Sequence, residues 1–218
     1  MVLDSLQSML ARLYDVELSH DVYDYLVTDR RHLGGERPCN DSRQPEEELL
    51  LAEMQDGAGI ALYLDAALLR RLERADPLGA LTDHNLADYC TALEGVSHFA
   101  YTTWRLGSDL PVSLLELETQ AEVDKYAVTV FLLAQQQGGA YPAEVHARLF
   151  DRVSFDVRLQ PDQYDRYRLA HRSAAHYCRK LEHRFVSHGR ARVEPLLREL
   201  RRFYRLGHAA KLRHAALA

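Results

Sequence analysis

Hydrophobic positions after residue 80 recur every three or four residues, which is the spacing of an α-helix with one buried face. Glycines and prolines interrupt this pattern at intervals and divide it into five predicted helices. These helices are predicted over about residues 83–106, 113–137, 142–150, 161–187 and 193–206. Helices of these lengths joined by short connections predict a bundle. The tail from residue 208 keeps helical spacing but has little apolar surface, so we expect it to fray or to order on a partner.

The first 80 residues show weaker patterns. Short helical spacings occur over residues 6–13 and 19–26, and a Gly- and Pro-rich loop follows over residues 32–41. Two apolar-rich runs within residues 48–64 then flank Asp56-Gly57, a dipeptide that favours a tight hairpin turn. After them, Asp65 is predicted to cap a further short helix.

Together these patterns predict a mainly α fold. Residues 81–218 form a helical bundle, and residues 1–80 contribute the β-hairpin and short helices that pack on it. At 218 residues we expect one compact domain overall.

Composition narrows the class of protein. The hydrophobic fraction of 47% and the charged fraction of 27% are those of an ordinary globular chain. No apolar run approaches the length of a membrane span, and the N-terminus lacks the pattern of a secretory signal. The three cysteines, Cys39, Cys90 and Cys178, lie far apart, which fits a reducing compartment. A cytoplasmic protein is therefore expected.

Charge is distributed unevenly along the chain. Residues 162–218 carry 14 Lys and Arg against 5 Asp and Glu, whereas residues 1–161 carry 13 against 27. Such a split indicates an anionic partner for the basic part, or attraction between the two parts within one fold. The arginines predicted to bind a partner are Arg172, Arg179, Arg198, Arg201, Arg202 and Arg205.

Carboxylates and histidines on three predicted helices offer a second kind of chemistry. Facing helices that project Glu and His inward can hold iron, manganese or zinc, although the diagnostic Glu-x-x-His spacing of dinuclear bundles is missing from the central helices. The candidate metal ligands are Glu94, His98, Glu118, Glu122 and His171. Taken singly, the same residues are typical of a surface pair, an ion-pair stripe that includes Lys125, and a core histidine bonded by a tyrosine.

Motifs for nucleophilic catalysis, phosphate cradling or dinucleotide binding are missing from the sequence. Cys178 lies two helical turns from His171, which is too far for direct proton transfer, so no catalytic residue is assigned and the sequence favours a protein that is not an enzyme. The leading hypothesis is an accessory protein that docks an anionic partner, either an acidic protein or nucleic acid. The alternatives are a metal-dependent bundle enzyme or sensor and a non-specific nucleic-acid-binding protein. We expect no cofactor under the leading hypothesis, and the sequence predicts no oligomeric state.

Overall fold

The structure, a computed structural model, describes residues 1–33, 45–54, 57–142, 144–151, 160–187 and 189–217. Most of the predicted Gly- and Pro-rich loop, the turn residue Asp56 and the cysteine Cys39 lie outside the described residues. The fold is mainly α with a small sheet, as the periodicity predicts.

The N-terminal part combines helices with a three-stranded sheet. Its elements are α1 (Val2–Tyr14), a 3-10 helix (Val22–Tyr25), β1 (Leu26–Val27), a second 3-10 helix (Arg30–His32), β2 (Glu47–Met54), β3 (Gly57–Leu64) and α2 (Ala66–Arg74). The predicted hairpin is confirmed, since β2 pairs antiparallel with β3. Strand β1 adds to β3 in parallel and gives the order β1-β3-β2. Two residues are too few to show an alternating pattern, so β1 has no signature in the sequence.

The C-terminal part is the predicted bundle. Its elements are α3 (Leu86–Gly107), α4 (Leu114–Gln136), α5 (Val145–Phe150), α6 (Pro161–Phe185), the two-residue strands β4 (Val186–Ser187) and β5 (Arg190–Ala191), α7 (Val193–Arg205) and α8 (His208–Leu217). Helix α4 contacts both α3 and α6, and α3 also contacts β2 and β3. The site described below lies among these packed elements.

Several predicted helix limits shift in the structure. Helix α3 begins at Leu86 because the Asn85 side chain holds the preceding turn, accepting from the N–H of Thr82 and donating to the carbonyl of Ala80. The second N-terminal helical spacing forms a 3-10 helix, which Asp21 caps by accepting from the N–H of Tyr23. Helix α6 ends at Phe185 instead of residue 187, since the chain turns there into β4.

The tail from residue 208, for which the sequence predicts fraying or ordering on a partner, forms α8 and packs on α6 and α4 of the same chain. Lys211 and Ala215 on α8 are buried. One hydrophobic core includes residues from Leu3 near the start to Ala215 near the end. The predicted division of the chain near residue 80 stays a prediction. The hydrophobic core contains residues from both sides of it. Among the described helices, we find none with the length and apolar content that a membrane span needs.

Candidate functional site

Carboxylate and histidine side chains from four elements meet beside the sheet. We call this group the carboxylate–histidine cluster, and its members are Glu47 of β2, Glu94 and His98 of α3, Glu118, Glu122 and Lys125 of α4, and His171 of α6. On each helix the members are three or four residues apart, so they share one face. All five metal-ligand candidates taken from the sequence therefore lie in this cluster.

Gly95 brings the sheet close to α3. A Cβ atom at Gly95 would lie 2.9 Å from Cγ of Glu47 and 3.1 Å from methyl groups of Leu62 and Leu64. A real Cβ does not approach other atoms so closely, so only glycine permits this packing. The close approach places the Glu47 carboxylate next to His98, one helical turn from Glu94.

His98 is buried at the centre of the cluster, with 7% of its surface exposed. Its Nδ1 lies 3.2 Å from Oε1 of Glu47, and its Nε2 lies 3.8 Å from Oε2 of Glu118. The second distance is too long for a hydrogen bond, and among the residues that the structure describes Nε2 has no hydrogen-bond partner. Burial opposes protonation of the ring, but Glu47, followed by Glu118 and Glu94, raises the pKa of His98 to about 9.

The two carboxylates nearest to His98 are also perturbed. Burial raises the pKa of Glu118 to about 7, with further contributions from Glu94 and Glu47. Burial likewise raises the pKa of Glu47, against the opposing effect of His98. Glu118 has Arg166 as a second basic neighbour, with its Nε at 3.9 Å. Several buried or half-buried carboxylates therefore share few positive charges in this half of the cluster.

A lysine organises the other half of the cluster. Nζ of Lys125 lies 3.0 Å from Oε2 of Glu94 and contacts Oε1 of Glu122. The other oxygen of Glu122 lies 3.0 Å from Nδ1 of His171. Burial opposes ionisation of Glu122, but Lys125 and His171 hold the pKa of this carboxyl at about 2. Glu122 and Lys125 thus form a charged pair, as the ion-pair interpretation of this stripe predicts.

Three of these residues are placed to hold a metal ion. Within the described residues, Glu47, Glu94 and His98 each offer one donor atom, and these atoms lie within 4.8 Å of one another. A histidine nitrogen and carboxylate oxygens are suitable ligands for iron, manganese or zinc.

Sequence reasoning missed Glu47, although it identified the other two members of this triad. Glu47 stands between Glu46 and Glu48 at the start of β2, and alternation along a strand turns its side chain away from both of these neighbours. Glu46 pairs with Arg71, and Glu48 pairs with Arg30. The alternation can be recognised in the sequence, but the sequence does not show which face of β2 is covered by α3.

The arginines predicted to bind a partner fall into two groups. Arg172, Arg179, Arg198 and Arg202 are exposed, and Arg179 lies 3.4 Å from Asp151. Arg201 donates to the carbonyl of Leu13, and Arg205 donates to the carbonyls of Tyr14 and Asp15. The second group therefore satisfies carbonyls at the C-terminal end of α1, which have no partner within that helix.

A second buried network was not foreseen from the sequence. Nζ of Lys211 lies 2.9 Å from the hydroxyl of Tyr101 and 2.6 Å from Oε1 of Gln120. Gln120 in turn donates to Asp124, which also accepts from the hydroxyls of Tyr14 and Ser97. The network joins α1, α3, α4 and α8 through bonded polar groups, so its geometry is that of a structural element.

Fold and site together define a helical-bundle protein with a buried carboxylate–histidine cluster. Comparison of the chain with protein-family models, with curated proteins and with solved structures finds no match.

Proposed function

We propose that this protein binds one divalent transition-metal ion (iron, manganese or zinc) through Glu47, Glu94 and His98, and acts as a metal-dependent enzyme or sensor. The observation that carries the proposal is the convergence of donor atoms from Glu47, Glu94 and the buried His98, which lie within 4.8 Å of one another. One imidazole nitrogen and two carboxylate oxygens at this spacing can bind a single ion placed between them.

The geometry around the imidazole supports a metal ligand role. Nδ1 faces Glu47 within the triad, and Nε2 faces Glu118 on the other side of the ring. Metal-ligating histidines commonly direct their second nitrogen at a carboxylate, which orients the ring. In this arrangement metal binding at Nδ1 leaves the proton on Nε2, on the side of the ring that faces the Glu118 carboxylate 3.8 Å away.

The charge balance supports a cation at the same place. Glu94 and Glu122 share the ammonium group of Lys125, whereas Glu47 and Glu118 converge on His98. Carboxylates brought together from β2, α3 and α4 repel one another in a buried setting unless positive charge offsets them. A divalent ion between Glu47 and Glu94 supplies that charge.

Metal analysis tests the proposal directly. Untagged protein from medium supplemented with iron, manganese and zinc is expected to contain about one transition-metal ion per chain, since the triad forms a single site. After metal removal, titration with Mn²⁺ or Co²⁺ measures the affinity. Glu47→Gln keeps the size of its side chain, and His98→Asn replaces the imidazole by a smaller amide. Each removes a ligand, so each is expected to weaken binding at least as much as loss of an outer-shell partner does, by roughly 10- to 100-fold.

His214→Asn is the matched control. His214 pairs with Glu199 between α8 and α7, away from the cluster, so its replacement is expected to leave metal affinity unchanged. Circular dichroism establishes that each variant is folded. A wild-type chain that takes up no metal contradicts the proposal, and so do cluster variants that bind as tightly as the wild type.

A second candidate function is docking of an acidic protein partner on the basic C-terminal helices. The observation in its favour is that Arg172, Arg179, Arg198 and Arg202 are exposed on α6 and α7. Planar guanidinium groups on a surface suit carboxylate recognition. The acidic residues of the same chain do not neutralise all of this basic surface, since the four arginine side chains are exposed and accessible to a partner.

Binding to immobilised poly-glutamate, followed as salt is raised, tests this candidate. A charge-driven complex is expected to weaken steeply between about 50 and 300 mM salt, since ions screen exposed charges. Association that does not depend on salt counts against docking. If immobilised duplex DNA retains the protein more strongly than poly-glutamate does under the same conditions, the result favours non-specific nucleic-acid binding instead.

A further inference from the structure

We infer that α8 is a proton-controlled latch: the helix docks on the bundle most tightly when the amine of Lys211 is uncharged, and it is released as this amine takes up a proton. This role does not depend on a metal ion. The composition of the docking face of α8, its short connection to α7 and the surroundings of Lys211 support it.

The docking face of α8 contains little apolar surface. Of the described side chains of this helix, those that are buried are Lys211 and Ala215, and Leu212 is half-buried. His208 and His214 bond to polar groups at the start of α4 and on α7. Burial of apolar surface stabilises a contact by about 25 cal/mol per Å², so a helix that buries so little of it depends on its polar contacts for docking.

The connection between α7 and α8 lets the two helices separate. It consists of Leu206, whose backbone is extended, and Gly207. Helix α7 is held without the help of α8, since Leu200 and Phe203 lie in the hydrophobic core and Arg205 donates to carbonyls at the end of α1. Segments with few buried apolar contacts open at a lower free energy than the whole fold. We therefore expect α8 to be released as a unit.

Lys211 is buried where α8 meets α3, α4 and α7, with 1% of its surface exposed. Its Nζ lies 2.9 Å from the hydroxyl of Tyr101 and 2.6 Å from Oε1 of Gln120, and both partners are neutral. The ring centroids of Tyr101 and Phe203, at 4.2 and 5.1 Å, enclose the amine. Within the described parts of the chain no carboxylate pairs directly with Nζ, in contrast to Lys125. A neutral amine still has two N–H groups, so both hydrogen bonds persist without the charge.

This setting determines the direction in which pH acts on the latch. Burial lowers the pKa of Lys211 to about 7, although Glu116 and Asp124 oppose this effect. On a released α8 the lysine is in water and has the ordinary value of 10.5. Between these two values release takes up a proton, so a fall in pH favours the released helix and a rise favours the docked helix. Below pH 7 both forms hold the proton, and the balance no longer changes.

Charged and titratable groups face α8 from each helix packed against it. They are Tyr101 and Arg105 of α3, Glu116 and Asp124 of α4, Tyr177 and Lys180 of α6, and Glu199 and Tyr204 of α7, beside His208, Arg213 and His214 of α8 itself. A test must therefore separate Lys211 from the other groups that titrate at this interface.

Hydrogen exchange of the α8 amides in the full, metal-free chain tests the inference. Exchange is followed by mass spectrometry from about pH 7.5 to about pH 9.5 and expressed as protection relative to an unstructured peptide at the same pH. Helix α8 is expected to be less protected than α4, since it opens without global unfolding. Its protection is expected to rise by up to about 10-fold for each pH unit, because release takes up one proton.

Two variants assign the effect to a residue. Lys211→Met removes the titrating amine and keeps the length of the side chain, so α8 protection is expected to be independent of pH. His214→Asn is the matched control, because it removes another titratable contact of α8, the one with Glu199, and keeps Lys211. The rise in protection with pH is expected to remain in this control.

The outcomes decide the inference in the following way. Equal protection of α8 and α4 overturns it, because α8 then opens only with the whole fold. A wild-type protection that does not change with pH also overturns it, even where Lys211→Met fails to dock α8. A rise that persists in Lys211→Met, or that His214→Asn abolishes, overturns it as well, since another group is then the sensor. A rise in the wild type and His214→Asn that Lys211→Met lacks, whether or not its helix docks, supports the latch.

Discussion

Gly95 shows how a single residue positions the site. A glycine inside a helix costs about 1 kcal/mol relative to alanine, so its place in the middle of α3 needs a compensating reason. That reason is the short distance to β2, where a Cβ would lie 2.9 Å from the Glu47 side chain. The geometry of the cluster thus depends on the lack of a side chain at Gly95 as well as on the charged side chains themselves.

Gly95→Ala is expected to lower the free energy of unfolding by about 1–3 kcal/mol, because the added methyl group overpacks the contact between α3 and the sheet. It is also expected to weaken metal binding, since Glu47 must move to make room. Urea denaturation and Mn²⁺ titration measure the two effects.

Gly107→Ala is the control, because a Cβ at this last residue of α3 meets nothing within 4 Å. Its effect is expected to stay within about 0.5 kcal/mol. A Gly95→Ala chain as stable as Gly107→Ala would contradict the close approach to Glu47, since helix propensity alone favours alanine at both positions.

At the scale of elements, α7 shows that arginines on one helix can differ in their contacts. Its buried face carries Leu196, Leu200 and Phe203, as the periodicity indicates. Arg201 and Arg205 donate to carbonyls at the end of α1, although Arg205 is as exposed as Arg198 and Arg202. The sequence predicted one basic surface, and the tertiary contacts divide it.

Arg205→Ala is expected to lower the free energy of unfolding by about 1–2 kcal/mol, because the carbonyls of Tyr14 and Asp15 lose a charged donor. Arg198→Ala is expected to change it by less than about 0.5 kcal/mol. Urea denaturation at low and moderate salt measures both.

Docking can be tested by replacing only the exposed arginines that make no contact with the end of α1, so that the fold is retained. Replacing Arg172, Arg179, Arg198 and Arg202 by Glu is expected to abolish salt-dependent binding to poly-glutamate at an unchanged melting temperature. Full retention of binding in this charge-reversed variant would rule out docking on the exposed arginines.

At the scale of the whole molecule, Lys211 ties the C-terminal helix to the centre of the fold. It is fully buried, and burial lowers its pKa to about 7 against the opposing effects of Glu116 and Asp124. The ionisable groups that face Lys211 are Glu116 and Asp124 of α4, Arg105 and Tyr101 of α3, and Tyr204 of α7. Because the folded pKa lies below the ordinary value of 10.5, the unfolded chain binds more protons between these two values.

The contribution of Lys211 to the free energy of unfolding is therefore expected to rise from pH 7 toward pH 10, by roughly 1.4 kcal/mol for each pH unit. Below pH 7 both states hold the proton, and the contribution stays constant. Lys211→Met removes the titrating group and keeps the chain length, so the difference between wild type and variant isolates the effect. Urea denaturation of the metal-free proteins from pH 6 to pH 10 measures it, and a difference that does not change with pH contradicts the assignment.

The sequence by itself determined the helical class, the hairpin and the residue types of the cluster. These follow from local rules: apolar spacing gives the buried face of each helix, Asp-Gly favours the turn, and spacing of three or four places Glu94 with His98 and Glu118 with Glu122 on common faces. The helical spacing of the tail was also legible, although its docking through Lys211 was not.

Only the tertiary structure decided which faces meet. It brought Glu47 of β2 to His98 of α3, set Lys125 between Glu94 and Glu122, and separated Arg205 from Arg198. The physical reason is that a helix or strand pattern fixes the direction of a side chain within its own element, whereas its partner depends on the packing of elements far apart in sequence. A candidate metal centre built from strand β2 and helix α3, within a cluster that also draws on α4 and α6, becomes visible only when that packing is known.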